Sequence, residues 1–176
     1  MSKSSIDPDL RFEVEDLYAE YADVLDTEQF ERWPELFTDD AFYDVIPREN
    51  YDRDMPLAIM RCESRAMMQD RVRAIRETLM FEPRYIRHLI SSIRITPEGD
   101  GMVSVTANYA VLETLMDEMT KVLNAGRYVD KLVREDGALR FKEKAACTIR
   151  ALFRTVLCIR SNCRPARKIP AIGELR

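Results

Sequence analysis

The sequence is poor in metal ligands: its 176 residues include one histidine and four cysteines. Zinc sites of the common structural kinds need four ligands, usually supplied as two close pairs, and only Cys158 and Cys163 lie close together in the sequence. The iron site built from two histidines and a carboxylate cannot be assembled, because His88 is the single histidine. We therefore expect no metal site in this chain.

Long apolar segments are also missing. No stretch approaches the ~18 apolar residues that a membrane helix needs, and the opening residues, MSKSSIDPDL, lack the apolar segment of a secretory signal. Charged residues make up 33% and hydrophobic residues 46% of the chain, which is typical of a soluble globular protein. We expect a cytoplasmic protein with no membrane partner and a single domain over residues 1–176.

Charge is unevenly distributed along the chain. Residues 150–176 contain seven lysines and arginines and one acid, whereas residues 1–149 contain 20 and 30, respectively. A basic segment can indicate nucleic-acid binding, which would appear as salt-sensitive retention on DNA. This segment has neither interleaved aromatic residues nor a recognised module, so docking onto an acidic protein surface or a solvated tail is favoured over nucleic acid.

The chain begins with a strong helix signal. Asp7 is a good N-cap residue, and Pro8 suits the first helical position. Apolar residues then recur at three- and four-residue spacing, which predicts one buried stripe of an amphipathic helix. The stripe consists of Val14, Leu17, Tyr18, Tyr21, Val24 and Leu25.

Three further elements are predicted before the middle of the chain. Thr27 opens a second short helix, with Phe30, Trp33, Leu36 and Phe37 facing inward. Residues 39–47, DDAFYDVIP, predict a strand, and the polar residues that follow predict a turn. A longer helix is predicted from Glu63 to about Met80, because Pro83 forbids its continuation.

The rest of the chain has the two-residue period of strands. Strands are predicted over residues 86–95, 103–111, 119–134 and 139–149, joined by short turns. In the last strand one face is predicted to carry Leu139, Phe141, Ala145, Cys147 and Ile149. The opposite face is predicted to carry Arg140, Lys142 and Lys144. Helices gathered before antiparallel strands indicate an α+β fold with a curved sheet and helices on one face.

Three stretches resemble the small (beta) subunit of aromatic-ring-hydroxylating dioxygenases, the Rieske non-haem iron oxygenases. Residues 16–52 contain the family's first helix, a tryptophan-bearing segment and a strand that leads to RENYD. Residues 70–95 are similar to its arginine- and valine-containing helix and its Arg-His-Leu strand entry, and residues 126–147 to its penultimate hairpin. The resemblance covers roughly residues 7–148. The basic segment 150–176 departs from it.

The resemblance implies a cystatin-like, NTF2-like fold, in which a sheet wraps around a long helix. It also implies an α3β3 oxygenase that dihydroxylates an aromatic compound. There the large (alpha) subunit carries the Rieske [2Fe-2S] cluster, the mononuclear iron and the substrate pocket. Electrons reach it from NADH through a reductase and often a ferredoxin. The small subunit is expected to be non-catalytic, to carry no cofactor and to organise the assembly.

His88 has two interpretations. The resemblance indicates a structural histidine whose ring nitrogens join chain segments. The alternative is a free-standing NTF2-like dehydratase or isomerase, in which His88 acts as an acid–base residue. Asp44, Tyr18 and Tyr43 would then complete its site, and this alternative predicts a polar cavity with His88 and Asp44 inside.

The strand over residues 103–111 indicates self-association. Its apolar residues form one row, and the opposite row contains the small polar residues Ser104, Thr106 and Asn108. Such a row lets another subunit approach closely. We therefore predict a trimer that forms through sheet surfaces, with Arg127 and Arg140 pairing with acids across the subunit boundary.

Overall fold

The structure, a computed structural model, describes residues 6–78 and 84–149. Pro83, predicted to end the third helix, lies outside the described residues. So does the basic segment 150–176, together with Cys158 and Cys163.

The first helix, α1, spans Pro8–Asp26 and begins as predicted. The Asp7 side chain accepts a hydrogen bond from the backbone N–H of Asp9 at 3.1 Å. All six residues of the predicted apolar stripe are buried. The helix ends at Thr27, whose backbone N–H donates to the Asp23 carbonyl at 2.9 Å.

The predicted second helix is wrong. Glu28 has a φ of 57°, a left-handed conformation that interrupts helical geometry. Only one 3-10 turn, Trp33–Leu36, follows it. Phe37 opens the first strand, β1, which spans Phe37–Pro47. Trp33 and Phe37 are nevertheless both buried, as predicted.

Two short elements and then five long ones follow β1. They are α2 (Arg48–Asp52), β2 (Met60–Cys62), α3 (Arg65–Thr78), β3 (Arg84–Pro97), β4 (Val103–Leu115), β5 (Lys121–Glu135) and β6 (Ala138–Thr148), with a 3-10 turn at Gly99–Gly101 between β3 and β4. The strands form one sheet in the order β2-β1-β6-β5-β4-β3. Among the strands that the structure describes, only β1 and β6 pair in parallel. The predicted α+β fold is confirmed.

The predicted alternation of the last strand is wrong from its middle onward. In the β5–β6 ladder Leu132 lies opposite Phe141, and Lys131 lies opposite Glu143. The skipped residue, Lys142, forms a β-bulge, and a one-residue insertion sends every later side chain to the other face. Lys144 is consequently buried with no exposed surface, although its neighbours on the predicted polar face remain partly exposed.

The core lies between α1 and the sheet face that α1 covers, which we call the inner face. Aromatic rings dominate it. The Tyr18 and Tyr21 rings of α1 lie 5.5 and 5.7 Å from the ring of Phe141 on β6, and Tyr109 and Tyr128 stack at 4.2 Å. These rings fix how α1 sits over the sheet and therefore where the cavity beside it lies.

Candidate functional site

A cavity of about 80 Å³ lies between the C-terminal half of α1 and the inner face. Its walls are mostly apolar, and Leu25, Val45, Met60, Ile86 and Val111 are among the apolar lining residues. Its polar lining residues are Tyr21, Tyr43, Tyr109, Tyr128, His88 and Asn124. Two of the residues predicted for a site, His88 and Tyr43, therefore share this cavity.

His88 is held by Asp26, the last residue of α1. The backbone N–H of His88 donates to both oxygens of the Asp26 carboxylate at 3.0 Å. The ring nitrogen Nδ1 lies 2.6 Å from Oδ1 of Asp26. A carboxylate only accepts hydrogen bonds, so Nδ1 carries the proton and Nε2 is the acceptor of the neutral ring. His88 thus joins β3 to the end of α1.

The tyrosines of the cavity stay protonated phenols. The hydroxyl groups of Tyr21 and Tyr43 lie 3.2 Å apart, and burial raises the pKa of both. Burial also raises the pKa of Tyr109 to about 12. Its hydroxyl accepts a hydrogen bond from Nδ2 of Asn124 at 3.0 Å. These groups offer neutral hydrogen-bonding partners and no fixed charge.

The other two candidates, Asp44 and Tyr18, do not line the cavity. The carboxylate of Asp44 accepts a two-point contact from Arg61, at 2.9 Å from Nε and 2.7 Å from Nη2. The hydroxyl of Tyr18 donates to Asp130. The structure therefore does not bring His88 and Asp44 together. The carboxylate that contacts His88 belongs to Asp26. The sequence analysis did not predict this pair, because no local signal marks an aspartate at a helix end as the partner of a residue 62 positions away.

A buried lysine was also missed. Nζ of Lys144 lies 2.7 Å from Oδ2 of Asp130, and neither side chain has exposed surface. Four aromatic rings surround the ammonium group at 3.9 to 4.6 Å from their centroids, namely Tyr18, Tyr21, Tyr128 and Phe141. Burial lowers the pKa of Lys144 and raises the pKa of Asp130, while each charge opposes the shift of the other. The ring faces stabilise the cation by cation–π attraction.

The two predicted interface arginines differ in their surroundings. The guanidinium of Arg140 donates to the Glu35 carbonyl, and its Nε lies 3.2 Å from the Glu135 carboxylate. Arg127 is exposed on β5, opposite Asn108 and Cys147 in the neighbouring strands. Arg140 is thus engaged within its own chain, whereas no acid in the described part of the chain forms an ion pair with Arg127.

The residues of this chain do not fit the iron groups that the resemblance implies. A Rieske cluster takes two histidines and two cysteines, and His88 is the single histidine. Within residues 6–78 and 84–149, no group of three or more His, Cys, Asp or Glu side chains is placed to hold a metal ion. No described helix is long and apolar enough to span a membrane.

Comparison with known sequences yields one family and several relatives. The profile described as "Ring hydroxylating beta subunit" matches residues 20–154. The anthranilate 1,2-dioxygenase small subunit of Burkholderia cepacia is 37% identical over 133 residues, which cover 76% of this chain and 83% of that relative. The beta 2 subunit of the terminal oxygenase component of terephthalate 1,2-dioxygenase from Comamonas sp is 32% identical over 128 residues, covering 73% and 83%.

Comparison with solved structures supports the same fold. A protein from Novosphingobium aromaticivorans, described as the beta subunit of an aromatic-ring-hydroxylating dioxygenase, is 38% identical. It superposes with a TM-score of 0.75 over 82% of this chain and 92% of that chain. ActVI-ORFA from Streptomyces coelicolor is 20% identical, with a TM-score of 0.64 over 79% and 96% of the two chains. At 20% identity, this similarity shows only that the two chains share a fold. The fold expected from the resemblance is confirmed.

Proposed function

The chain belongs to the ring-hydroxylating beta subunit family and is the small subunit of an aromatic-ring dioxygenase, an oxidoreductase; on this premise we propose that it has a structural role in an α3β3 oxygenase. The large subunit of this assembly carries the Rieske cluster, the mononuclear iron and the substrate pocket. Electrons come from NADH through a reductase, with or without a ferredoxin, in the cytoplasm. The family match over residues 20–154 carries this proposal.

The substrate of the complete enzyme is a single-ring aromatic carboxylate. The support is chemical: anthranilate and terephthalate, which name the dioxygenases of the two relatives, are both benzene rings bearing carboxylate groups. A panel of benzoates, matched with the corresponding uncharged toluenes, tests this with the purified oxygenase, its reductase and NADH. Turnover of the benzoates but not of the toluenes is expected, and the reverse preference would contradict the proposal.

The outer face of the sheet supports the structural role. It is the face opposite α1, and Leu89, Ala110 and Ala125 form one of its cross-strand rows. Large apolar side chains are exposed on this face or at its edge, including Tyr85, Leu89, Val122 and Ile149, with 52–77% of each exposed. Large exposed apolar side chains gathered on one face of a sheet suit a protein–protein interface. We assign this face to contacts with neighbouring subunits.

Two alanine-to-arginine substitutions test this assignment. Ala110→Arg places a long charged side chain in the middle of the outer face, whereas Ala19→Arg places one on the exposed side of α1. When co-expressed with the large subunit, the Ala110→Arg chain should fail to form the hexamer, measured as a lower mass by light scattering. The Ala19→Arg chain should assemble normally. Equal masses for the two variants would remove the outer face from the interface.

The arginines give a second test of self-association. We propose that Arg127 pairs with an acid of a neighbouring small subunit, because its guanidinium is exposed and has no partner acid among the described residues. Arg140 remains a candidate, although it already contacts Glu135. Arg127→Ala should lower the assembled mass at moderate dilution, while Arg140→Ala should mainly lower the stability of the subunit. A trimer that is insensitive to both changes would contradict the pairing.

The non-catalytic role has its own test. The small subunit purified alone should contain no iron and should not oxidise any member of the benzoate panel. Iron bound to the isolated chain in a stoichiometric amount, or turnover by it, would overturn the proposal.

A further inference from the structure

We propose that the cavity beside His88 binds a small, mostly apolar molecule with one hydroxyl group, of the size of a single aromatic ring or less, whose hydroxyl donates to Nε2 of His88. The probe for this class is phenol. The inference concerns this chain alone and does not depend on the partner subunit or on the oxygenase reaction.

The acceptor nitrogen is fixed before any ligand arrives. The Asp26 carboxylate holds Nδ1 at 2.6 Å, and the same carboxylate holds the backbone N–H of His88. The Asp26 side chain is only 3% exposed, so water competes little for these bonds. The ring is therefore oriented and its tautomer is set, which leaves Nε2 as a lone-pair acceptor.

Nε2 has no partner in the described part of the chain, although its ring is largely buried. The His88 side chain is 11% exposed and lines the cavity. Hydrogen bonds that only join α1 to β3 would require no more than Nδ1 and the backbone N–H of His88. Nε2 is therefore available to accept a hydrogen bond from a donor outside the chain.

The cavity walls determine which chemical groups a ligand can carry besides its hydroxyl. Leu25, Phe30, Ile86 and Val111 contribute apolar surface, and the lining residues other than His88 carry no charge. A carboxylate or ammonium ligand would lose its hydration there without a counter-charge. A neutral hydroxyl compound loses far less and gains the bond to Nε2.

The volume of the cavity limits the size of the ligand. Its volume of about 80 Å³ is smaller than the ~150 Å³ apolar cavity known to bind benzene in another protein. Entry of a ring therefore requires a lining side chain to change rotamer. Met60 lines the cavity, and an unbranched thioether side chain adapts readily.

The single histidine makes a direct experiment available. In the full chain labelled with 15N-histidine, the two imidazole nitrogen signals belong to His88 alone. Phenol should saturably shift the Nε2 signal, whereas toluene, which has the same shape but no donor, should leave it close to its position in the free protein. A Nε2 signal that does not respond to saturating phenol would overturn the proposal.

The Asp26→Asn variant separates ligand binding from a structural tie. The side-chain amide that this substitution introduces would donate an N–H to Nδ1, which moves the ring proton to Nε2 and turns Nε2 into a donor. The affinity ratio of phenol to benzonitrile, an acceptor without a donor, should then fall about tenfold, the effect of exchanging one hydrogen bond. Asp44→Asn changes a carboxylate that does not line the cavity and should leave the ratio unchanged.

A substitution that fills the cavity tests where phenol binds. Ala146 lines the cavity from β6, and Ala146→Leu should abolish the effect of phenol on Nε2 while the chain stays folded by circular dichroism. Undiminished phenol binding by the Ala146→Leu protein would place the ligand elsewhere and overturn the proposal. If Asp26→Asn does not fold, the wild-type nitrogen signals with phenol and toluene still decide it.

Discussion

Lys144 and Asp130 face each other across β5 and β6 with their charged atoms 2.7 Å apart, and neither side chain has exposed surface. One register position away on the same two strands, Lys131 and Glu143 form a second ion pair at 3.0 Å. The side chains of that second pair are 42% and 47% exposed. Adjacent register positions face opposite sides of the sheet, and the β-bulge at Lys142 decides that Lys144 is the one turned inward.

Removing the buried cation should destabilise the chain strongly. Lys144→Met leaves Asp130 as an unpaired buried carboxylate and should lower the free energy of unfolding by about 3–5 kcal/mol. The double variant Lys144→Met/Asp130→Leu should recover most of that loss, since neither charge remains. Urea denaturation measures both. The matched control, Lys131→Met, breaks the exposed pair and should cost no more than ~1 kcal/mol; equal losses for the two lysines would contradict the argument.

Alkali should unfold the chain through its buried tyrosines. Burial raises the pKa of Tyr18, Tyr21, Tyr43, Tyr109 and Tyr128. A raised folded-state pKa stabilises the chain fully below the unfolded value of about 10. That stability is lost as the pH rises through the folded values, of which Tyr109 has one of about 12.

Spectrophotometric titration near 295 nm tests this behaviour together with circular dichroism. The absorbance of the buried phenolates should appear together with loss of helical signal, not before it. Tyr109→Phe should reduce the late absorbance step and leave the early one unchanged. Ionisation of all tyrosines in a protein that keeps its helical signal would refute the prediction.

Gly126 allows β5 and β6 to approach each other. A Cβ atom built at this position would lie 2.1 Å from the backbone oxygen of Cys147, a contact that backbone atoms of a paired strand cannot easily relieve. Gly126→Ala should therefore lower the free energy of unfolding by about 1–3 kcal/mol or more. Gly101→Ala is a useful comparison, because its Cβ meets nothing within 4 Å and only its φ of 76° opposes the change. Thermal denaturation should show the larger loss for Gly126.

The ion pair between Glu31 and Arg76 should be visible at low pH. Arg76 donates to both carboxylate oxygens, at 2.7 and 2.9 Å, and lowers the pKa of Glu31 to about 2. A lowered folded-state pKa contributes stability above the unfolded value of about 4.5, and this contribution is lost as the pH falls toward 2. The side chains are 45% and 62% exposed, so the contribution should not exceed ~1 kcal/mol.

Carboxyl 13C shifts followed with pH measure the Glu31 titration. Arg76→Gln should return its pKa to the ordinary range. Arg73→Gln, which removes a neighbouring arginine that pairs with Asp70, should leave Glu31 unchanged. A Glu31 titration that both substitutions shift equally would assign the effect to general charge and not to the Arg76 contact.

Elements with local signals could be predicted from the amino-acid sequence alone. The cap at Asp7 and the apolar stripe of α1 were predicted residue by residue, because helical periodicity depends only on neighbours three and four positions apart. The strict alternation of β4 was equally clear. The resemblance carried by residues 16–52, 70–95 and 126–147 then identified the family, although no single one of these stretches is diagnostic.

Features that depend on strand register and on distant contacts could not be predicted in this way. A bulge at Lys142 cannot be read from the alternation of β6, since the extra residue is defined only by its partner strand, and it moved Lys144 from the predicted surface into an aromatic core. The pairing of His88 with Asp26 instead of Asp44 was likewise set by where α1 ends above β3. Local pattern indicates which side chains face a core only where an element is regular, whereas strand register and packing between segments far apart in the chain decide which side chains meet.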